Sequence, residues 1–366
     1  MEEKYIRHPL FGISFKNWIR IITSNGGIDK GFYLKAVFVT TSIIVFSPAR
    51  ILFKILYGNK IRRNEIEKNP IFIIGHWRSG TTYLHELICM DPNMAYISLW
   101  NTLLPDSFLI LDPIKEILSK FLPSTRPMDQ IKVQIDGPYE EEAALSTLIP
   151  WSYFHCFIFP KNAKKQFENS VLFKGLSDKE INEWKETYLT FLKAVSYENK
   201  NKRLTIKSPA NTARIKALLE LFPDAYFIFI YRNPYSLYFS TMKMRKNVLN
   251  QYALQSTTEK EINEHVLENY IQLMDEYFKQ KENISKNNLI EISYEELVKN
   301  PLETLEQVYT KFDLKGFKVA KPYFEKYLKE NKEYKPNKYS FDKKIIQTIK
   351  DKWSYTIEKW GYKPPE

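Results

Sequence analysis

The stretch NPIFIIGHWRSGTTYLHEL, residues 69–87, concentrates groups that bind an anion. Gly75 and Gly80 let the backbone approach a ligand closely, and Ser79, Thr81 and Thr82 bring three hydroxyls. Arg78 adds a planar fork of donors suited to a tetrahedral anion. The apolar run ends at Gly75 and a helical pattern resumes after Thr81, so this loop joins a strand to a helix. At such a junction the first helical N–H groups point outward and the helix dipole favours negative charge. The glycine spacing matches the triphosphate loop Gly-x-x-x-x-Gly-Lys-[Ser/Thr], in which lysine follows the second glycine. Here Thr81 stands at that position and the basic residue has moved ahead to Arg78. No acidic strand end able to hold magnesium accompanies it, which counts against an ordinary ATPase or GTPase.

The elements that must carry this loop are legible on both sides of it. IFII, 71–74, is a short apolar strand bounded by Pro70 and Gly75, and TTYLHELI puts Tyr83, Leu84, Leu87 and Ile88 on one helical stripe. The same order recurs. A strand at 203–207 leads through Ser208-Pro209 to a helix over about 211–221. A strand at 225–231 leads to Asn233-Pro234, a cap and first position for another helix. A fourth strand, 288–293, precedes a helix capped by Asn300 with Pro301 at its first position and Glu303 at its third. Buried strands alternating with helices predict an α/β fold, with a central parallel sheet covered on both faces. Lys207, at the end of its strand, is expected to face the same crevice as the loop.

The remainder reads as one domain over 1–366. It has an N-terminal helical region (1–65), a helical insertion over about 95–200, and a Lys- and Tyr-rich tail over about 318–366. A capping box at Ser177 and Glu180 opens a helix in the insertion, and the tail holds an amphipathic helix over 341–357. AVFVTTSIIVF, 36–46, lies between Lys35 and Arg50. Its charge-free window is short of the roughly 20 residues a span requires. A buried core helix is therefore expected, with an interfacial helix extended by RILFKILY as the alternative.

Composition narrows the chemistry. The net charge of +11 over 366 residues suits anionic ligands, although the lysines are scattered rather than gathered in a nucleic-acid stripe. Cys89 and Cys156 are the only cysteines and form no CxxC pair. Neither a zinc cluster nor a disulfide scaffold is supported, and a reducing, cytoplasmic compartment is expected.

FIIGHWRSGTTYLHELI resembles the 5′-phosphosulfate loop of sulfotransferases that use 3′-phosphoadenosine 5′-phosphosulfate (PAPS). YIFIYRNPYSLYFST resembles their 3′-phosphate segment, with Arg232 and Ser240 at the separation that family uses. IKSPANTARI and RPMDQIKVQIDGPYEEEAALS are similar to a bacterial-type branch. The resemblance covers roughly residues 65–310 and implies a P-loop-like three-layer fold with the insertion on the acceptor side. It implies PAPS as donor, 3′-phosphoadenosine 5′-phosphate (PAP) as product, and no metal. Arg78, Ser79, Gly80, Thr81 and Thr82 would hold the phosphosulfate and Arg232 and Ser240 the 3′-phosphate, with Lys207 binding the donor from the same crevice. The glycine- and lysine-rich C-terminal loop of cytosolic members is missing, and EYKPNKY, with Lys335 or Lys338, is expected to stand in for it. Trp77 is either an adenine platform or core.

Sulfuryl transfer needs charge neutralised on the leaving phosphate, which falls to Arg78 and the loop amides and hydroxyls. It also needs a base for the acceptor proton. Glu140 or Glu142, from the acidic run 140–142, is expected to serve, with His76 in reserve. The Phe-, Trp- and Leu-rich insertion tilts the acceptor toward a small hydrophobic alcohol such as a sterol, steroid or lipid. Carbohydrate sulfation and nucleotide-dependent phosphotransfer are the alternatives, with a non-enzymatic anion or membrane binder the weakest. No nucleic-acid partner is expected. Peripheral membrane contact and oligomeric state stay open.

Overall fold

The computed structural model describes residues 8–122, 125, 132–331 and 342–365. Lys335 and Lys338, expected near the phosphates, lie outside the described residues, as does the 126–131 part of the acidic-cluster motif. The strands are β1 (Ile71–Gly75), β2 (Met94–Tyr96), β3 (Arg203–Lys207), β4 (Tyr226–Tyr231) and β5 (Leu289–Ser293), in sheet order β2-β3-β1-β4-β5. The first three α-helices are α1 (Phe15–Ser24), α2 (Tyr33–Arg63) and α3 (Thr81–Ile88). Two compact units cluster from the chain. One comprises Met1–Lys68, Ala95–Ile206 and Lys246–Thr258, the other Asn69–Met94, Lys207–Arg245 and Glu259–Glu366.

The second unit carries the loop between β1 and α3. β1 pairs with β4 in parallel from Ile71 opposite Tyr226 to Gly75 opposite Ile230, and β4 pairs with β5 from Phe227 opposite Leu289 to Tyr231 opposite Ser293. Every residue of β1 is buried. That is why the strand reads as an unbroken apolar run, as a sheet covered on both faces demands. Leu84, Leu87 and Ile88 of α3 enter one core with Ile71, Ile73, Ile228 and Ile230, joined by Leu305 and Val308 of the helix Pro301–Lys311. Just past α3, buried Asp91 accepts hydrogen bonds from Tyr309 Oη at 2.6 Å and from the Asn93 amide at 2.8 Å. This fixes the far end of the helix whose near end forms the loop.

Three local expectations are corrected here. The segment after β3 makes a 3-10 turn over Pro209–Ala213 before helix Ile215–Leu221. Asn300 stands at the N-cap position of its helix but makes no side-chain capping bond, while its Nδ2 donates to Glu296 Oε1. The tail helix breaks at Trp353 into Lys343–Lys352 and Ser354–Lys359. The buried Trp353 indole donates to Leu267 O and its ring stacks on Tyr270, so packing overrides the helical pattern.

The first unit is helical. Ser177 and Glu180 form the expected capping box on helix Asp178–Glu198. The expectation of a buried core helix over 36–46 is overturned. Pro48 lies inside α2, which is 31 residues long in all. The flanking charges do not end it, because they find local partners. Lys35 Nζ donates to the carbonyls of Asn250 and Gln251, and Arg50 pairs with Asp106 and the Gly12 carbonyl. Ala36, Val39, Ile43 and Phe46 are buried, whereas Leu34, Val37, Ile44, Val45, Ile51, Leu52, Ile55 and Leu56 are exposed. By length and composition α2 could cross a membrane, yet only 22% of its most apolar window is buried in the fold.

Tyr309→Phe would leave the buried Asp91 carboxylate one donor short, at a cost of about 1.5–3 kcal/mol. Urea denaturation should show that loss. An unchanged midpoint would mean that the pair does not hold α3 in place.

Candidate functional site

Within the second unit the loop residues adopt conformations that only special side chains tolerate. Gly75 has φ of 145°, and a Cβ there would meet the Ile230 carbonyl oxygen at 2.3 Å and Ser79 Oγ at 2.9 Å. Gly80 has φ of 105°, and a Cβ there would strike the Tyr294 ring at 2.3 Å. Between them Arg78 is held at φ 71° without being glycine. Such a conformation costs on the order of 1 kcal/mol or more and persists only where the surroundings impose it.

The surroundings do so from the β4 side. Arg232, one residue beyond β4, donates from Nη1 to the Arg78 carbonyl at 3.1 Å. Arg78 in turn donates from Nε to Ser240 Oγ at 3.1 Å. Ser240 lies in helix Pro234–Tyr252, whose start is secured by Asn233 Oδ1 accepting from the Tyr235 and Ser236 amides. Two segments more than 150 residues apart in sequence therefore share one cationic, hydroxyl-bearing cluster. The guanidinium of Arg232 also lies over the Tyr294 ring, 4.4 Å from its centroid. That face keeps the cation oriented while leaving donors for an anion.

Gly80 is the N-cap of α3 and offers no side-chain cap. The opening N–H groups of this helix lack intrahelical partners, as at any helix start, and are donors for a ligand. Ser79 is fully buried, and its hydroxyl has no hydrogen-bond partner among the described residues. A buried orphan donor beside an uncapped helix start fits an anionic group. Thr81 is buried and Thr82 half-buried. Lys207 ends β3 with its side chain buried, and the hydroxyl of the next residue, Ser208, is likewise buried without a partner among the described residues.

His76 is buried. Burial, opposed by the bond to the Trp77 carbonyl and aided by the nearby Arg245 charge, lowers its pKa from 6.5 to about 3. Its Nδ1 lies 2.7 Å from the Trp77 carbonyl oxygen, which can only accept, so Nδ1 carries the proton and Nε2 the lone pair. Tyr270 packs against the imidazole at 5.2 Å between centroids, braced by Trp353 and by Thr356 Oγ1. Trp77 is itself buried.

The acidic run belongs to the first unit. Glu140 is the half-buried N-cap of helix Glu141–Leu148 and makes no side-chain capping bond. Glu141 and Glu142 are fully buried rather than forming a solvated turn. Glu141 accepts from Tyr188 Oη at 3.1 Å, and Glu142 accepts from the Tyr153 amide at 2.6 Å.

The residues that the motif reading did not single out are Thr212 and Tyr294. Thr212 Oγ1 accepts from the Gly75 amide at 2.7 Å and donates to the Gly75 carbonyl at 3.0 Å, clamping the end of β1. Tyr294 walls Gly80 and carries Arg232. No spacing rule points to either, because each acts across strands through tertiary contact. Among the described residues, no group of three or more His, Cys, Asp or Glu is gathered to hold a metal.

A strand–loop–helix turn is thus joined, through Arg78, Arg232 and Ser240, to a second basic segment after a neighbouring parallel strand. Residues 70–318 match the Sulfotransferase family, and the chain belongs to that family. It is therefore a sulfotransferase with PAPS as its sulfuryl donor. It is 29% identical over 356 residues, 97% of this chain and 91% of the relative, to the omega-hydroxy-beta-dihydromenaquinone-9 sulfotransferase Stf3 of Mycobacterium bovis and of Mycobacterium tuberculosis. In fold it is similar to sulfotransferase STF9 from Mycobacterium avium, with TM-score 0.71 and 15% identity over 95% of this chain and 90% of that one. STF1 from Mycobacterium tuberculosis gives 0.66 and 16% over 97% and 93%.

Unfolding returns His76 to its ordinary value of 6.5, while the fold holds it near 3. The stability it contributes is thus complete above pH 6.5 and lost as the pH falls toward 3. Urea denaturation across that range should show a loss of up to a few kcal/mol, and His76→Gln should flatten the slope by about one proton. Equal slopes would mean that His76 is not held neutral by burial.

Proposed function

We propose that this sulfotransferase acts on the hydroxyl of a lipid-like alcohol of the hydroxylated isoprenoid-quinol class. One observation carries this reading. The similarity to the Stf3 proteins, named for a hydroxylated dihydromenaquinone, runs through 97% of the chain and so includes the helical insertion. The Phe- and Trp-rich composition of that insertion supports an apolar acceptor side. An acceptor of this class resides in a bilayer, so the protein would reach it at a membrane surface. Both cysteines are buried and neither forms a disulfide, which suits a reducing, cytoplasmic side. Because the family match crosses both compact units, we read them as parts of one sulfotransferase domain.

The β1–α3 junction is read as a P-loop-like cradle. Its first-turn amides, the Ser79 hydroxyl, Thr81, Thr82 and Arg78 would hold the 5′-phosphosulfate, with Lys207 as a further cation. Arg232 and Ser240 would hold the 3′-phosphate. When bound, the donor supplies an activated sulfuryl group, whose bond to the 5′-phosphate oxygen breaks as the acceptor oxygen bonds sulfur. Arg78 and the amides then stabilise negative charge where it grows, and because the backbone already holds them in place, little reorganisation is needed. For the base we favour Glu140 or Glu142 of the acidic run, because a His76 held near pKa 3 is a weak proton acceptor at neutral pH.

Incubation with PAPS and a panel of polyprenyl alcohols, hydroxylated quinols, sterols, phenols and sugars, read by mass gain, tests the acceptor class. A preference for sugars or sterols over isoprenoid quinols would overturn it. Three variants test the roles. Arg232→Ala should weaken PAP binding about tenfold to a hundredfold in calorimetric titration. Arg78→Ala should cost turnover on the order of a hundredfold or more with a smaller change in PAP affinity. Glu140→Gln should lower kcat about a hundredfold with PAP affinity intact. Wild-type PAP affinity in the Arg232 variant, or wild-type kcat in either of the others, would remove that residue from its role.

A further inference from the structure

The exposed side of α2 is unlike the rest of the first unit's surface. Leu34, Val37, Ile44, Val45, Ile51, Leu52, Ile55 and Leu56 are all exposed, Leu34 and Ile44 by 80% and 73%. With exposed Thr41 and Pro48 between them, these positions recur at steps of three and four residues, so they form one continuous stripe along the helix. From Leu34 to Ile55 the stripe runs for about 32 Å. Monomeric proteins seldom leave so long an apolar strip to water.

Charge indicates what covers it. Residues 33–63 contain six Lys or Arg and no Asp or Glu. Lys54, Lys60, Arg62 and Arg63 are exposed beside or just beyond the stripe. An apolar stripe flanked only by cations complements a bilayer surface that carries anionic headgroups. A second copy fits poorly, because its own α2 has no Asp or Glu to meet these cations and a parallel pairing would set them against each other.

The opposite side of α2 settles the orientation. Trp18 of α1 donates from Nε1 to Thr40 Oγ1, the Gly12 amide donates to Ser42 Oγ, and Phe11 packs on Phe38 and Phe46. Further along, Arg50 pairs with Asp106 and Phe53 packs on Phe108. One face is thus covered by protein along most of the helix, through contacts that a helix crossing the bilayer alone would have to give up. A spanning helix would expose every face to lipid.

We propose that α2 lies in the plane of an anionic membrane and docks the protein there through its apolar stripe, without crossing the bilayer. This rests on the lipid-acceptor reading only for the reason to dock, since the surface stands on its own residues. The test is flotation of the full chain with preformed phosphatidylcholine vesicles, with or without phosphatidylglycerol. It compares the wild type with a triple variant, Ile44→Gln, Ile51→Gln and Ile55→Gln. Wild type should float with the anionic vesicles, more weakly with neutral ones and at high salt, and its C-terminus should stay open to added protease. The triple variant should bind at least about tenfold less. Its PAP affinity and its turnover of a detergent-dispersed acceptor should remain at wild-type level, showing that it is folded.

Equal flotation of the two proteins, no flotation of either, or a wild-type dimer that the glutamines dissolve would each overturn the proposal. Turnover of a dispersed isoprenoid quinol without flotation would sink the docking surface alone. Flotation without turnover of any lipid alcohol would sink the acceptor reading alone.

Discussion

The left-handed backbone at Arg78 is the constraint from which the candidate site follows. The surroundings hold this non-glycine residue there at both ends, Arg232 taking its carbonyl and Ser240 its Nε. The strain and the two hydrogen bonds are one device. They turn the loop after β1 toward the segment after β4, and the strict parallel register of those strands brings both loops to the same sheet edge. Ligands in α/β proteins bind at that carboxyl edge because helix starts and strand ends converge there.

Packing around this device leaves little freedom. Gly75 passes against the Ile230 carbonyl, Thr212 grips both polar groups of Gly75, and Gly80 lies against Tyr294. Tyr294 serves twice, as the wall that admits only glycine and as the aromatic face beneath Arg232. The Asp91–Tyr309 bond secures α3 at its other end. Donors held this firmly are already organised for an anion, whereas flexible ones would lose entropy on binding it.

The first unit shows how burial can reverse the reading of a polar run. Three successive glutamates would ordinarily be solvated at a helix start, where carboxylates are favoured by the dipole. Two of them are instead interior, each accepting a hydrogen bond from elsewhere in the unit, from Tyr188 for Glu141 and from Tyr153 for Glu142. The opposite reversal occurs at α2, an apolar run that looks like core and faces outward along half its circumference.

Sequence alone determined β1, β3, β4 and β5, the loop from β1 into α3, the start of α3 and the helix opening after Arg232, because each is written in local chemistry. Glycine at a turn, apolar runs of strand length and Asn-Pro at a helix start act over a few residues. Sequence alone also carried the resemblance that names the family. Tertiary structure decided the strain at Arg78, the clamp by Thr212, the double use of Tyr294, the depressed pKa of His76 and the direction in which α2 faces. Each of these depends on which distant residue arrives beside it. Periodicity reports that one side of a helix is apolar, but whether that side meets protein, water or lipid is set by what else the chain folds against.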